Sequence, residues 1–223
     1  MSLGTRIIDA IESRRNRLRT CQDGALGEFY RNGGNDLLYD LPVKTGGIVI
    51  DAGGFEGEWT KRMIAEYGCR SEIYEPFPTY AERLKHMFRK NSMVNVHSAA
   101  LGGANRRTTF CFSADGTSEH LAASNSLGIE VPVTDISDSI DALENENIGC
   151  LKLNIEGGEY EVLERIISNN QVSCCASLLI QFHPQPDDWK PRLTAICEQL
   201  ELTHTREWCY PLVWEKWVRK STP

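Results

Sequence analysis

The sequence predicts a doubly wound α/β fold in which a mostly parallel sheet gains an antiparallel edge from the C-terminal part of the chain. Short apolar segments rich in β-branched residues alternate with segments of helical period along most of the chain. The tail over residues 202–218 lacks helical period and carries three tryptophans. Strands that alternate with helices pair in parallel, with helices on both faces of the sheet. The tail is therefore expected to add two strands at the edge.

The first strand and helix show the alternation most clearly. Residues 46–51 read GGIVID, a β-branched run after a turn-like glycine pair, which predicts a buried parallel strand. In the segment GEWTKRMIAEYG that follows, Trp59, Met63 and Tyr67 recur every four residues. Gly68 is suited to end this helix in a left-handed conformation. One βα unit is therefore predicted over residues 46–68.

Four more strands continue the pattern. They are expected over residues 71–76, 94–101, 150–155 and 176–183. Helices with one apolar face are expected over residues 79–91, 159–168 and 187–200. The first of these helices opens with Thr79 and Glu82 at the spacing of a capping box.

Two segments lie outside this alternation. Residues 111–130 are polar and unpatterned, and a loop of that length inside a compact domain favours a functional lid. Residues 1–45 are interpreted as an N-terminal helical appendage, and residues 46–223 as the main domain. The basic cluster at residues 14–19 lies in this appendage and is interpreted as a solvated helix face.

Composition and charge exclude several classes of protein. The chain has 223 residues and no apolar run near the roughly 20 residues of a membrane span. Its formal net charge of −7 argues against nucleic acid as a partner, because such binding relies on basic side chains. The eight cysteines form no C-x-x-C pair, which argues against a zinc knuckle and favours a reducing compartment. With no secretory signal in the sequence, a soluble cytoplasmic protein is expected.

The ends of the first two strands carry the residues of a predicted ligand site. In sheets of this kind, ligands bind outside the carboxyl ends of the strands. The loop DAGGFEG, with Asp51, Gly53 and Gly57, departs from the G-x-G-x-x-G pattern of dinucleotide sites and adds a second carboxylate, Glu56. S-adenosyl-L-methionine, a cationic ligand without phosphate, suits this loop, and Glu75 after the second strand suits its ribose. An NAD-dependent oxidoreductase is a more distant alternative.

Four segments of the chain together resemble the FkbM-type methyltransferases: VIDAGGFEGEWT, IYEPFP, HSAALGG and LKLNIEGGEYEVL. The resemblance covers residues 46–183 in order and spacing, and the last segment is its most specific part. It implies a Rossmann-like methyltransferase sheet and an S-adenosyl-L-methionine-dependent enzyme that methylates hydroxyl groups, often on sugars or natural products. It also implies cofactor-binding roles for Asp51, Gly53, Gly57, Glu75, Ser98 and Ala99.

Two positions depart from the pattern of this family. Asn154 and Gln181 stand where these methyltransferases usually carry carboxylates. An amide keeps the shape and hydrogen bonding of a carboxylate but cannot act as a general base. The chain is therefore interpreted as an O-methyltransferase whose proton-handling residues lie elsewhere. The alternative is a cofactor-binding but catalytically inactive module with a regulatory or interaction role.

The candidate catalytic residues are His183, Glu156 and Asn154. His183 ends the fifth strand, and an imidazole with an ordinary pKa of about 6.5 suits a general base at neutral pH. Asn154 and Glu156 lie at the end of the fourth strand, where they would face the transferable methyl group. His120 and Asp115 are further candidates for the base.

Other polar and aromatic residues receive structural interpretations. Glu159 and Glu161 lie in the first turn of a predicted helix, where the helix dipole favours acidic residues. Four aromatic residues would either stack on a sugar or pack in the core: Trp189, Trp208, Tyr210 and Trp214. No metal is expected, and the acceptor and the oligomeric state stay open.

Overall fold

The structure is a computed structural model that describes residues 23–113, 116–118, 128–144 and 146–221, with the backbone alone for residues 111–113 and 116–118. The helices are α1 (residues 23–31), α2 (Gly34–Leu37), α3 (Glu58–Tyr67), α4 (Pro78–Phe88), α5 (Ile136–Asp141), α6 (Glu159–Ser168) and α7 (Trp189–Thr203). The strands are β1 (Ile48–Ala52), β2 (Arg70–Tyr74), β3 (Val94–His97), β4 (Ala100–Gly102), β5 (Arg106–Ser113), β6 (Gly116–Ser118), β7 (Ile129–Asp135), β8 (Ile148–Leu153), β9 (Ser177–Ile180), β10 (His204–Tyr210) and β11 (Trp214–Arg219).

Seven strands form the main sheet in the order β10-β11-β9-β8-β1-β2-β3. The strands from β9 to β3 pair in parallel, whereas β11 is antiparallel to both β9 and β10. The predicted doubly wound sheet with an antiparallel C-terminal edge is therefore confirmed. From β1 the chain proceeds to β2 and β3 on one side and later to β8 and β9 on the other. The strand order thus reverses at β1, and a crevice for ligands is expected at its carboxyl end.

The central strands are buried along their whole length because both faces of the sheet are covered. Every residue of β1 and β8 is buried. Val49 packs with Trp59 and Met63 of α3 on one face, and Ile50 belongs to the cluster of Tyr160 on the other face. This two-sided burial explains why these strands read as continuous apolar runs instead of an alternating pattern.

The predicted third strand is two strands in two sheets. Residues of β3 pair with β2 in the main sheet, whereas Ala100 of β4 pairs with Val133 of β7 in a second sheet of order β4-β7-β5-β6. Ala100 and Val133 bury their side chains in a separate apolar cluster with Phe110 and Val131. Apolar periodicity identifies a strand but not its partner, so the continuous reading of residues 94–101 is wrong.

The predicted lid over residues 111–130 is strand at both ends. Residues 111–113 complete β5, β6 pairs antiparallel with β5, and β7 begins at Ile129. The prediction of an unpatterned loop is wrong for these residues, because an antiparallel sheet with a solvated face accommodates polar strands. Residues 119–127, which include His120, lie outside the described residues, as does Asp115.

The described part of the predicted N-terminal appendage packs on the main domain. Leu41 and Val43 join the cluster of Val49, and the indole Nε1 of Trp59 donates a hydrogen bond to the carbonyl of Leu38 at 3.1 Å. Helix α1 contributes Phe29 to a smaller apolar cluster near the β10–β11 hairpin. The basic cluster at residues 14–19 lies outside the described residues.

Three further findings concern the described part of the chain. No helix described there is long and apolar enough to cross a membrane. Within the same residues, no group of three or more His, Cys, Asp or Glu side chains is placed to hold a metal ion. Its free thiols are Cys69, Cys150, Cys174, Cys175, Cys197 and Cys209.

Candidate active site

The loop between β1 and α3 requires glycine at two positions. Gly53 and Gly57 have φ angles of 82° and 79°, a left-handed conformation that glycine adopts without steric cost. A Cβ atom on Gly53 would lie 2.1 Å from the carbonyl oxygen of Asn154, and one on Gly57 would lie 2.7 Å from Leu84. Gly53 thus brings the end of β1 against the end of β8, and Gly57 brings the loop against α4. Glu56, in the same loop, is exposed and has an ion pair with a neighbouring arginine.

Glu75 follows β2 and lies beside this loop. Its side chain is buried, and its two oxygens accept hydrogen bonds from the backbone N–H groups of Phe55 and Phe77, both at 2.8 Å. Burial raises the pKa of Glu75 above its ordinary value, although the two N–H groups act in the opposite direction. A carboxylate has about four lone-pair sites, so it can still accept hydrogen bonds from two ribose hydroxyls.

Asp51 is buried and bonded to other residues of the protein. Its Oδ1 lies 2.7 Å from Nζ of Lys152, and its Oδ2 accepts a hydrogen bond of 2.6 Å from the hydroxyl of Thr60. Lys152 also donates to the carbonyl of Gly53 at 2.8 Å. Asp51 thus supports the glycine loop through Lys152.

Lys152 was not among the predicted site residues, although a lysine within an apolar strand could have indicated a buried partner. Lys152 stands inside a strand that is otherwise apolar and fully buried. A buried ammonium group has to be paired, and Asp51 on the adjacent strand is the partner.

Glu159 joins the segment after β8 to the end of β9. The side chain is fully buried, and Oε1 accepts a hydrogen bond from the N–H of Ile155 at 2.8 Å while Oε2 accepts one from Gly157 at 2.9 Å. Nδ1 of His183 lies 2.8 Å from the same Oε1. The helix dipole alone does not explain why an acidic residue stands at position 159, because its carboxylate has three specific partners.

His183 lies between two carboxylates. Its Nε2 is 3.5 Å from Oε1 of Glu156, and the side chain is 12 % exposed. Burial lowers the pKa of His183, but the hydrogen bond with Glu159 and the negative charges of Glu159 and Glu156 outweigh it, so the pKa lies above its ordinary value. Burial also raises the pKa of Glu156, although His183 acts in the opposite direction. The structure therefore brings together two of the three predicted catalytic residues.

The third, Asn154, lies at the same edge of the sheet. Its backbone N–H donates to the carbonyl of Ala52 at the end of β1. Gln181 occupies the corresponding position after β9, with its N–H bonded to the carbonyl of Leu153. Both amides are partly exposed. The strand ends thus carry two neutral amides next to the imidazole and carboxylate of His183 and Glu156.

The other predicted residues are more peripheral. Ser98 is exposed and Ala99 is buried, both in the connection from β3 to β4. Trp189 is buried in the main core, and Trp208 and Tyr210 pack with the ring of Phe29.

The carboxyl edge of the central strands has more negative than positive charge. Four carboxylates, one ammonium group and one imidazole are described there, namely Asp51, Glu75, Glu156, Glu159, Lys152 and His183. Opposite charges attract strongly where water is partly excluded. A cationic ligand is therefore favoured over a phosphate at this edge.

This sheet order, together with a glycine loop and an acidic residue after β2, defines an α/β methyltransferase, a class of proteins that use S-adenosyl-L-methionine. Residues 49–208 match the family model described as "Methyltransferase FkbM domain". Since this match covers more than half of the chain, the protein belongs to the FkbM methyltransferase family, as the motifs predicted. No curated protein matches the chain.

Solved structures with the same fold differ widely from this chain in sequence. One is described as "putative rRNA-methylase from Clostridium thermocellum"; it is 8 % identical, with a TM-score of 0.54 over 86 % of this chain and 96 % of that chain. The delta-N METTL16 MTase domain is 13 % identical, with a TM-score of 0.49 over 86 % and 82 %. The N-methyltransferase NodS from Bradyrhizobium japonicum WM9 is 10 % identical, with a TM-score of 0.43 over 87 % and 97 %. The first of these supports the fold assignment and nothing beyond it.

Proposed function

We propose that this protein transfers the methyl group of S-adenosyl-L-methionine to a hydroxyl of a small acceptor, such as a saccharide or a natural product. The observation that carries the proposal is the pair of His183 and Glu156 at the ligand-binding edge. An alcohol retains its proton at neutral pH, so its attack on a methyl group is helped by a neighbouring base. A neutral amine has a lone pair available without such help. The pair therefore favours a hydroxyl acceptor.

The cofactor-binding residues follow from the same edge. S-adenosyl-L-methionine supplies a methyl group made electrophilic by its sulfonium. Glu75 would bind the ribose hydroxyls, because its carboxylate is fixed by two backbone N–H groups next to the glycine loop. Gly53 and Gly57 would let the backbone approach the methionine part. Asp51 would act by holding Lys152 under the loop, and Ser98 and Ala99 would line the adenine.

The acceptor would be held by the residues after β8 and β9. The amides of Asn154 and Gln181 can donate and accept hydrogen bonds, so they can orient a hydroxyl without taking its proton. Nε2 of His183 would accept that proton, and Glu156 would stabilise the resulting charge. Holding the reacting atoms in line is worth several kcal/mol of the barrier in such displacements, roughly 7–11 at best.

A small acceptor is favoured over nucleic acid. The net charge of −7 and the carboxylates at the strand ends oppose the binding of a phosphate backbone. The chain described as an rRNA-methylase shares only the fold at 8 % identity. An acceptor without phosphate therefore fits this site better.

Asn154 and Gln181 support a second candidate function, a module that binds the cofactor but transfers no methyl group. These residues place amides where a family carboxylate would act, which removes two charged groups from the edge. Binding of S-adenosyl-L-methionine with no transfer to any acceptor would favour this second function.

A transfer assay with cofactor labelled in the methyl group tests the proposal. The acceptor panel contains free sugars, glycosylated natural products, small amines and total RNA. We expect label in a hydroxylated small molecule, with the product identified as a methyl ether by mass spectrometry and NMR. Label in the amines or in RNA would contradict the proposal.

A further inference from the structure

We propose that Glu159 is the positioning residue of this site: it holds His183 with a hydrogen on Nδ1, so that Nε2 is the proton-accepting atom beside Glu156. This role rests on the proposed function, in which His183 accepts the proton of the acceptor. Glu159 would act through His183 and would not itself touch the substrate.

The geometry of Glu159 leaves it little freedom. Its carboxylate is fully buried and accepts hydrogen bonds from the N–H groups of Ile155 and Gly157. Oε1, the oxygen beside the imidazole, is therefore already an acceptor, towards the N–H of Ile155. In the same role it would accept the hydrogen of Nδ1 of His183 across the 2.8 Å contact. In the neutral ring, the free lone pair then belongs to Nε2.

The same carboxylate also fixes Glu156. Ile155 and Gly157, whose N–H groups it binds, are the two neighbours of Glu156 in the chain. Glu156 has a φ angle of 53°, a conformation that residues other than glycine rarely adopt. The bonds to Glu159 therefore hold this unusual backbone in place and keep Glu156 within 3.5 Å of Nε2.

The surroundings of His183 add no competing charged partner among the described contacts. Glu159 faces it from α6, and Glu156 faces it from the segment after β8. The hydroxyl of Tyr160 donates to the backbone carbonyl of His183 at 2.7 Å. Arg192 of α7 lies over the Tyr160 ring at 5.2 Å and is paired with a glutamate of α6. Two carboxylates therefore dominate the electrostatics of the ring.

Glu159→Gln tests this role with little change of shape. The glutamine keeps one oxygen acceptor but loses the charge that stabilises a protonated His183. We expect turnover to fall at least about 10-fold, a part of the roughly 10²- to 10⁴-fold that a positioned base supplies. The acid limb of the pH profile should move to lower pH, because His183 loses the partner that raises its pKa. Cofactor affinity should stay unchanged.

Glu161→Gln is the matched control. Glu161 lies two residues further along α6, and its carboxylate binds Arg106 and the N–H of Gly103 instead of His183. This variant removes the same charge from the same helix. It should leave the position of the acid limb where it is in the wild-type protein.

Nitrogen-15 NMR of the imidazole in the full chain gives a readout that needs no acceptor. We expect the neutral ring of His183 to carry its hydrogen on Nδ1, and the pKa of His183 to fall in Glu159→Gln but not in Glu161→Gln. A neutral ring protonated on Nε2, or the same His183 titration in both variants, would overturn the inference. If Glu159→Gln does not fold, the tautomer of His183 in the wild-type protein is sufficient to test the inference. The NMR experiment and the transfer assay can fail independently. If the NMR results are as expected but no methyl group is transferred to a hydroxyl, the proposed function is refuted and the positioning of the ring by Glu159 still holds.

Discussion

Lys152 and Asp51 form a buried ion pair beneath the glycine loop, and neither has access to water that would compensate for a lost partner. Lys152→Met should lower the free energy of unfolding by about 3–5 kcal/mol, because Asp51 would stay buried without its ammonium partner. Urea unfolding followed by circular dichroism measures this loss. Adding Asp51→Asn should recover part of it, since the stranded charge is then gone. A loss below about 1 kcal/mol in the single variant would show that the pair is dispensable for stability.

His183 is the residue on which the proposed proton transfer depends. His183→Ala should lower turnover by at least about 10²-fold while the dissociation constant of the cofactor stays unchanged. Isothermal titration with S-adenosylhomocysteine and the transfer assay measure the two quantities separately. Turnover within a few-fold of wild type would make Glu156 the group that accepts the proton.

The pH profile of the wild-type enzyme follows from the raised pKa of His183. A protonated imidazole cannot accept a proton, and here it persists to higher pH than an ordinary imidazole with a pKa of about 6.5. Turnover should therefore fall as the pH decreases through a value above that ordinary pKa. A profile whose acid limb lies below it would contradict the pairing of His183 with the two carboxylates.

The three carboxylates of the segment LKLNIEGGEYEVL have different contacts, which connect α6 and the residues before it to their neighbours. Glu156 faces His183, Glu159 is buried under the loop, and Glu161 connects α6 to the second sheet through Arg106. Their spacing around a strand end and a first helical turn points them in three directions. The acidic character of this segment therefore reflects three separate contacts.

Helix α3 begins and ends at a glycine in the left-handed conformation. Gly57 has a φ angle of 79° and Gly68 one of 57°. Alanine at either position should cost about 1–2 kcal/mol of backbone strain. At Gly57 the added Cβ would also lie 2.7 Å from Leu84, whereas nothing lies within 4 Å at Gly68.

Gly57→Ala should therefore destabilise the protein more than Gly68→Ala, by at least about 1 kcal/mol, because Leu84 has to move. The midpoints of urea unfolding give the comparison, and Gly68→Ala is its control. Equal losses in the two variants would show that the α4 side chains adjust freely and that the loop is loosely packed there.

Binding of the cofactor should stabilise the folded protein as a unit. At about 100 times the dissociation constant, S-adenosyl-L-methionine or S-adenosylhomocysteine should add roughly 2.7 kcal/mol to the free energy of unfolding. Thermal melting measures this as a higher Tm, and NAD should have no such effect. A Tm raised by NAD and by neither sulfur compound would refute the assignment of the cofactor site.

Two variants test whether the rise in Tm depends on the predicted cofactor site. Glu75→Gln should weaken the response to S-adenosylhomocysteine, since the charged acceptor for the ribose is lost. Glu72→Gln removes a carboxylate from β2, the strand that Glu75 follows. The contacts of Glu72 are Asn95 and His97, so the response should be retained. Equal responses in the two variants would show that Glu75 does not bind the cofactor.

Much of this architecture could be predicted from local patterns. The strands of the main sheet with the helices α3, α4, α6 and α7, the glycine loop after β1 and the acidic residue after β2 could be predicted from windows of a dozen residues, whereas β5, β6, β7 and α5 were not predicted. The two wrong predictions have different causes. Strand β4 pairs in a second sheet, because periodicity does not say which strand pairs with which. Strands β5 and β7 extend into the predicted loop, because a sheet with a solvated face accommodates polar strands. The family could be predicted without the tertiary structure, because the residues of its most specific motif are contiguous in the chain.

The fold class, the family and the edge of the sheet where ligands are expected can all be predicted from the amino-acid sequence, since each depends on residues close together in the chain. The partners of the charged groups cannot, because folding brings them together from distant elements. Lys152 meets Asp51 across 101 positions, and His183 meets Glu159 across 24. A buried charge requires a partner, but the chain can supply that partner from any element that folding brings within about 3 Å. Only the folded strand ends establish which carboxylate binds which cation.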